Sequence, residues 1–121
     1  MEWKPLITFV QPGDKIKFTE MVGHDTESIK GMIPLDTESW KSKMGEEGFT
    51  VILESDGLYL YRCNPHVAVG MFGAIVVGDK ESTPVNLSEV SSNLKKVRIG
   101  KNAVRKILKK IEKVTASKPL N

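Results

Sequence analysis

The sequence predicts a mainly β domain, an antiparallel sandwich or barrel with a C-terminal α-helical extension. Three observations predict it. Residues 2–79 hold about six short apolar or alternating runs separated by turn residues, the pattern of an antiparallel sandwich or barrel rather than of alternating strands and helices. After residue 80 the apolar spacing becomes helical. At 121 residues the chain has the length of one domain, enough for a core without staples. The reading is therefore a single domain, 1–121, with its β part at 1–79 and its helical extension at 80–121.

Taken in order, residues 2–10 (EWKPLITFV) read as a strand with Pro5 near its start, where a missing N–H is tolerated. Gln11-Pro12-Gly13-Asp14 is a turn, with Pro presetting φ. Lys15 to Thr19 alternates polar and apolar, as a half-buried strand does. Glu27 to Gly31 is short and polar around Ile29, and Met32-Ile33-Pro34 is an apolar step. Residues 37–43 (TESWKSK) predict one short helical turn capped by Thr37 or Asp36. Gly45 and Gly48 bracket a loop before the strand Phe49 to Leu53. Ser55-Asp56-Gly57 turns the chain into Gly57 to Arg62, and Phe72 to Val77 follows as the last strand.

In the extension, Leu87 and Val90 begin a helical pattern. From Ala103 the apolar positions are Val104, Ile107, Leu108, Ile111 and Val114, a helix stripe. Lys101, Arg105, Lys106, Lys109, Lys110 and Lys113 cover much of the remainder, and Gly100 or Asn102 marks the start. The apolar face of such a helix must be buried against something.

Composition excludes several classes. Apolar residues make up 40% and charged residues 27%, ordinary for a globular protein. No apolar run approaches the roughly 18 residues of a membrane span, so no membrane insertion is expected. Met1 to Pro5 lacks the basic start and apolar segment of a secretory signal, which fits either a cytoplasmic chain or a mature form with an added initiator Met. The net charge of +3 hides an asymmetry. Residues 1–94 carry 8 Lys/Arg against 14 Asp/Glu, a balance of −6, whereas 95–121 carry 10 Lys/Arg against Glu112 alone, a balance of +9. The basic character belongs to the tail.

Between the last two strands lies Cys63-Asn64-Pro65-His66-Val67-Ala68-Val69-Gly70-Met71, spaced C-x2-H-x4-M. It holds the only cysteine, one of two histidines and a methionine. A lone buried cysteine is most often packing, and a single histidine near a turn is most often structural. Here every Cys and His of the chain falls into one pattern, because a third in-plane ligand must come from a neighbouring strand and His24 is the only other histidine. Two imidazoles, a thiolate and a thioether are the ligand set of a blue-copper electron-transfer site. A structural zinc site fits less well, since one Cys with two His leaves a position open. His24, Cys63, His66 and Met71 are therefore the candidate metal ligands, for one type 1 copper ion. No catalytic residues are assigned: a Ser-His-Asp set would have to take histidines from the metal, so an enzyme is not expected.

The chain resembles the pseudoazurins, small blue-copper proteins of the cupredoxin family. The resemblance is carried by Gly23-His24, by Glu27 to Pro34 (ESIKGMIP), by Phe49-Thr50-Val51, by Gly57 through Met71, and by Ile75 to Asp79. It implies a Greek-key β-sandwich followed by two helices, one copper ion, and periplasmic one-electron shuttling to nitrite reductase or another reductase, with a cytochrome as a further candidate partner. It also implies a monomer that binds no nucleic acid. Because its loop lies at one end of the sandwich, His66 is expected to be the exposed ligand, with His24 a more buried one and Met71 the weak axial group. Tyr59, four residues before the cysteine, matches a tyrosine-corner position.

Two departures from the family pattern mark the surroundings of the ligands. Asp25 stands where Asn is usual, and Asn64 where Thr or Ser is usual. A compensated swap is expected, with the Asp25 carboxylate accepting from the Asn64 amide and lowering the copper potential. Pro65 has no N–H and so stiffens the loop. Partner docking is expected at Pro65, His66 and Met21, with Val67 beside them. The lysine rim would come from Lys30, Lys41 and Lys43, with Lys4 and Lys17 as further candidates. Rival readings are a copper-delivery protein with no redox partner, and an acidic-surface or nucleic-acid binder built on the basic helix. The latter lacks interleaved aromatics, since both Trp and both Tyr lie in residues 1–94.

Overall fold

The residues of two strands are buried on both faces, and the rest of the architecture follows from that. The computed structural model describes residues 1–115. Its elements in order are β1 (Ile7–Val10), β2 (Lys15–Phe18), β3 (Glu27–Ser28), β4 (Phe49–Ile52), β5 (Gly57–Arg62), β6 (Phe72–Val77), α1 (Leu87–Ser92) and α2 (Lys101–Thr115). One sheet runs β1-β6-β5-β3 and the other β2-β4. β5 and β6 pair antiparallel, with Tyr59 opposite Ile75 and Arg62 opposite Phe72. β1 joins β6 in parallel, Ile7 opposite Ala74, so the expectation of a purely antiparallel fold is corrected at this pair.

Alternation along β5 and β6 separates two cores. Tyr59, Tyr61, Ile75 and Val77 point to one side and pack with Phe18, Val51, Leu53, Trp3 and Trp40 between the sheets. Leu58, Leu60, Phe72, Ala74 and Val76 point to the other and pack with Val90, Val104, Ile107, Leu108 and Ile111 of the helices. This is why the two strands read as continuous apolar runs: both faces are covered. It also answers where the basic helix buries its stripe. Each fully buried aliphatic side chain contributes roughly 1.5–3 kcal/mol, so the helices belong to the core energetics of the sheet.

Backbone satisfaction along β5 explains the order of the connecting segments. Beyond β3, Ile29 N–H donates to Leu60 O at 2.9 Å and Leu60 N–H donates to Met32 O at 3.0 Å. Asn86 then takes over: Leu58 N–H donates to its Oδ1 at 2.7 Å, and its Nδ2 donates to Leu58 O at 2.9 Å. A side chain thus stands in for a strand partner where none is available. Gly57 makes room for it. At φ 138° a Cβ there would sit 2.9 Å from both Asn86 Oδ1 and Pro34 Cγ. Tyr59 Oη donates to Ser55 O at 2.7 Å, the tyrosine-corner bond expected of this position.

Three further expectations are corrected. The first strand covers only Ile7–Val10; Trp3 lies ahead of it and is buried in the inter-sheet core. The helical turn expected at 37–43 is absent. Thr37 N–H donates to Pro34 O in a turn, Trp40 is buried with its Nε1 donating to Thr26 Oγ1 at 3.1 Å, and the backbone of Lys41 pairs with that of Glu27 as an isolated antiparallel β-bridge. Burial of Trp40 in an extended segment outweighs the local helical spacing. On α2, Val114 is 47% exposed and Thr115 is buried instead, because the stripe continues from Ile111 by a step of four. Among the described residues no helix is long and apolar enough to cross a membrane.

Candidate metal centre

Cys63 follows directly on β5, at the end of the sandwich interior, and is fully buried. The chain then makes a 3-10 turn over Asn64–Val69 with Pro65 in its first positions, where a residue without an N–H costs nothing. His66 N–H donates to Cys63 O at 3.0 Å, but His66 itself departs from helical geometry at φ −120°, ψ 20°. Gly70, left-handed at φ 80°, reverses the chain. Met71 N–H then donates to His66 O at 3.1 Å, and Cys63 N–H to Met71 O at 3.0 Å. The loop between β5 and β6 is closed on itself by its own backbone.

His24 comes from the other side of the opening. Its N–H donates to Met21 O at 2.8 Å, its carbonyl accepts from Gly45 N–H at 2.8 Å, and the preceding Gly23 has φ 80°. The imidazoles converge on the sulfur: Cys63 Sγ lies 3.5 Å from His24 Nδ1 and 3.3 Å from His66 Nδ1. The three candidate ligand atoms all lie within 4.8 Å of one another. Ligands bound at about 2.0–2.3 Å to one ion are necessarily separated by roughly 3–4 Å, so the cluster fits a metal as it stands. Met71 is 3% exposed and packs in the same core as Cys63. It lines a cleft with His24, Trp3 and Tyr61.

Burial pushes the Cys63 thiol up from its usual range. The Asp25 backbone N–H pulls it down, the Asp25 carboxylate adds to the rise, and the His66 backbone N–H opposes it. A free thiol is therefore held protonated here, and a bound cation would reverse that by displacing the proton.

The Asp25 carboxylate is 5% exposed. It accepts from Asn64 N–H at 2.7 Å and from Asn64 Nδ2 at 3.0 Å, which is the expected compensated pair. The pair does not stand alone. Asn64 Nδ2 also donates to Glu27 Oε1 at 3.0 Å, Arg62 Nε donates to Asn64 Oδ1 at 2.8 Å, and Arg62 Nη2 reaches Glu27 Oε1 at 3.2 Å. Glu27 and Arg62 are the residues that sequence reading missed. They are cross-strand neighbours of β3 and β5, an opposite-charge pairing that only the register could reveal.

The docking residues separate cleanly. Pro65, Lys30, Lys41 and Lys43 are exposed, while His66 and Val67 are half-buried. His24 is half-buried as well. Met21 is corrected: it is 0% exposed, its side chain lies in the inter-sheet core and its N–H donates to Glu47 Oε1. It cannot meet a partner. Val22 beside it is 89% exposed.

The model of the copper binding proteins of the plastocyanin/azurin family matches residues 1–78. The chain belongs to this family. A pseudoazurin from Methylorubrum extorquens is 36% identical over 94 residues, which make up 77% of this chain and 63% of the relative. One from Paracoccus pantotrophus is 39% identical over 88 residues, 72% of this chain and 58% of the relative. The chain thus spans about three fifths of the length of these curated relatives. The solved structure of a pseudoazurin from Sinorhizobium meliloti superposes with a TM-score of 0.78 at 37% identity, covering 98% of this chain and 87% of that one. The mainly β fold with its C-terminal helix is the pseudoazurin, or cupredoxin, fold. Within this copper-binding family, the His24–Cys63–His66 cluster is compatible with a type 1 copper site.

Proposed function

We propose that this cupredoxin is a mobile one-electron carrier, not an enzyme, holding one copper ion on His24, Cys63, His66 and Met71. The observation that carries the reading is the placement of Cys63 Sγ between two imidazole nitrogens, at 3.3 and 3.5 Å, with buried Met71 beside them. Copper held there would supply a Cu(I)/Cu(II) couple. Two nitrogens, a thiolate and a weak thioether suit both states in one geometry. The protein's part is to keep that geometry. The backbone bonds among Cys63, His66 and Met71 fix the loop, and the buried Cys63 excludes water from the sulfur. The Asp25 carboxylate favours the oxidised, more positive state.

A partner would approach over exposed Pro65 and half-buried His66, with Lys30, Lys41 and Lys43 at the rim. The pseudoazurin relatives support a periplasmic setting, with nitrite reductase or another periplasmic reductase, or a cytochrome, as partner. The second reading, copper delivery without a redox partner, shares the ligands but not the behaviour. Repeated voltammetric cycling followed by metal analysis separates them. A carrier gives a reversible wave and keeps its copper, whereas loss of copper on reduction contradicts the carrier reading.

A further inference from the structure

The C-terminal end of β5 carries a side-chain network centred on Asn64. Both oxygens of the Asp25 carboxylate accept from this one residue, from its N–H at 2.7 Å and its Nδ2 at 3.0 Å. Asp25 is 5% exposed, and a buried carboxylate without donors is costly. The rotamer of Asn64 therefore decides whether Asp25 is satisfied. Two further residues fix that rotamer. Asn64 Nδ2 also donates to Glu27 Oε1 at 3.0 Å, and Asn64 Oδ1 accepts from Arg62 Nε at 2.8 Å. The amide can face only one way, because a turned amide would set Oδ1 against two carboxylates. Arg62 closes the ring, with Nη2 donating to Glu27 Oε1 at 3.2 Å. One edge of the guanidinium thus serves acceptors on two elements, β3 and the loop that carries Cys63 and His66.

We infer that Arg62 and Glu27 are positioning residues of the metal centre: by holding Asn64 against Asp25, they lock the loop that carries Cys63 and His66 to the segment that carries His24. What the lock achieves rests on the copper reading; the lock itself does not. Glu27 reaches the network from β3, directly opposite Arg62 on β5. β3 has only two residues, so the side-chain ring reinforces a short pairing beside the ligands. An ordinary cross-strand ion pair at this exposure, 38% and 26% for the two side chains, would add little. The placement distinguishes this one. Asn64 immediately follows Cys63, and Asp25 immediately follows His24, so a turned amide disturbs two ligand-bearing segments at once. The geometry also asks for arginine. A lysine ammonium would supply the charge but not the paired Nε and Nη2 donors. When copper is bound, partners that fix the ligands in this way leave little to rearrange as an electron moves.

The test is amide hydrogen exchange, read by NMR on the copper-free protein under conditions where exchange reports the local opening equilibrium. Arg62→Gln should speed exchange of the Asn64 N–H about fivefold or more, the equivalent of one average hydrogen bond. The Leu60 N–H, bonded to Met32 O further back along β5, should change by less than about twofold, since it opens with a different unit. Arg62→Lys should recover less than half of the lost protection. Glu27→Ala should act like Arg62→Gln, and the double variant should be no worse than either alone, because the two side chains act as one unit. With copper(II) added, Arg62→Gln should also shift the copper hyperfine splitting in the EPR spectrum. Equal speeding at Asn64 and Leu60 would make the pair a general stabiliser and overturns the proposal. So does full recovery in Arg62→Lys, additivity in the double variant, or a blue protein whose EPR spectrum does not shift. Failure of the copper reading shows separately, as a wild type that takes no blue colour while its exchange pattern is as expected.

Discussion

The Asp25 carboxylate takes two hydrogen bonds from Asn64, one from the backbone N–H at 2.7 Å and one from the side-chain amide at 3.0 Å. This ties the segment that carries His24 to the loop that carries Cys63 and His66, and it places a buried carboxylate one residue from each of His24 and, across the opening, Cys63. Replacing Asp25 by Asn removes the charge while keeping the shape. The copper potential should rise, on the order of 50 mV for about 1 kcal/mol of lost preference for the more positive state. Voltammetry on the two proteins measures it. An unchanged potential would show that the carboxylate is electrostatically silent.

The bidentate bond of Asn86 to Leu58 should be a stability determinant with no role at the metal. Asn86→Ala leaves the buried N–H and C=O of Leu58 unpaired, which costs about 1–3 kcal/mol for a buried group. Denaturant unfolding should show that loss while copper affinity stays within about twofold. A stable variant would mean that water replaces the amide.

The grouping of His24, Cys63 and His66 and most strands were legible in the sequence, the strands because turn residues and alternation are local signals. The two cores were not, since the same apolar run at Phe72 to Val77 suits a strand covered on one face or on both. Trp40 misled for the same reason: its neighbours space like a helix, and only a tertiary contact with Thr26 decides otherwise. Met21, expected at the docking face, turns its side chain into the core instead, which no local spacing reveals. Glu27 and Arg62 were invisible because a cross-strand pair has no sequence spacing of its own.

The helical extension should be as costly to damage as the sandwich interior. Ile107, 2% exposed and packed under β6, should lose about 2–5 kcal/mol of stability on truncation to Ala. Val114→Ala, at a 47% exposed position, should change stability by no more than about 0.5 kcal/mol. Equal effects would mean that the stripe is misplaced.

Burial raises the Tyr61 phenol well above its usual range, and Tyr59 is raised too, first by burial. The folded state then holds these protons where the unfolded chain releases them. Stability is full below the unfolded value of about 10 and is lost as pH rises beyond it, by up to about 1.4 kcal/mol per pH unit for each group. Tyr61→Phe should flatten the larger part of that decline in unfolding measured between about pH 9 and 11. An unaltered pH profile would place the alkaline sensitivity elsewhere.

The most direct test of the central claim, that Cys63 is drawn into a copper site with His24, His66 and Met71, is the colour of the protein on adding copper(II). The wild type should develop intense blue or green absorption with one equivalent bound, and Cys63→Ala should bind copper without it. A colourless wild-type adduct, or colour that survives in Cys63→Ala, would contradict the account.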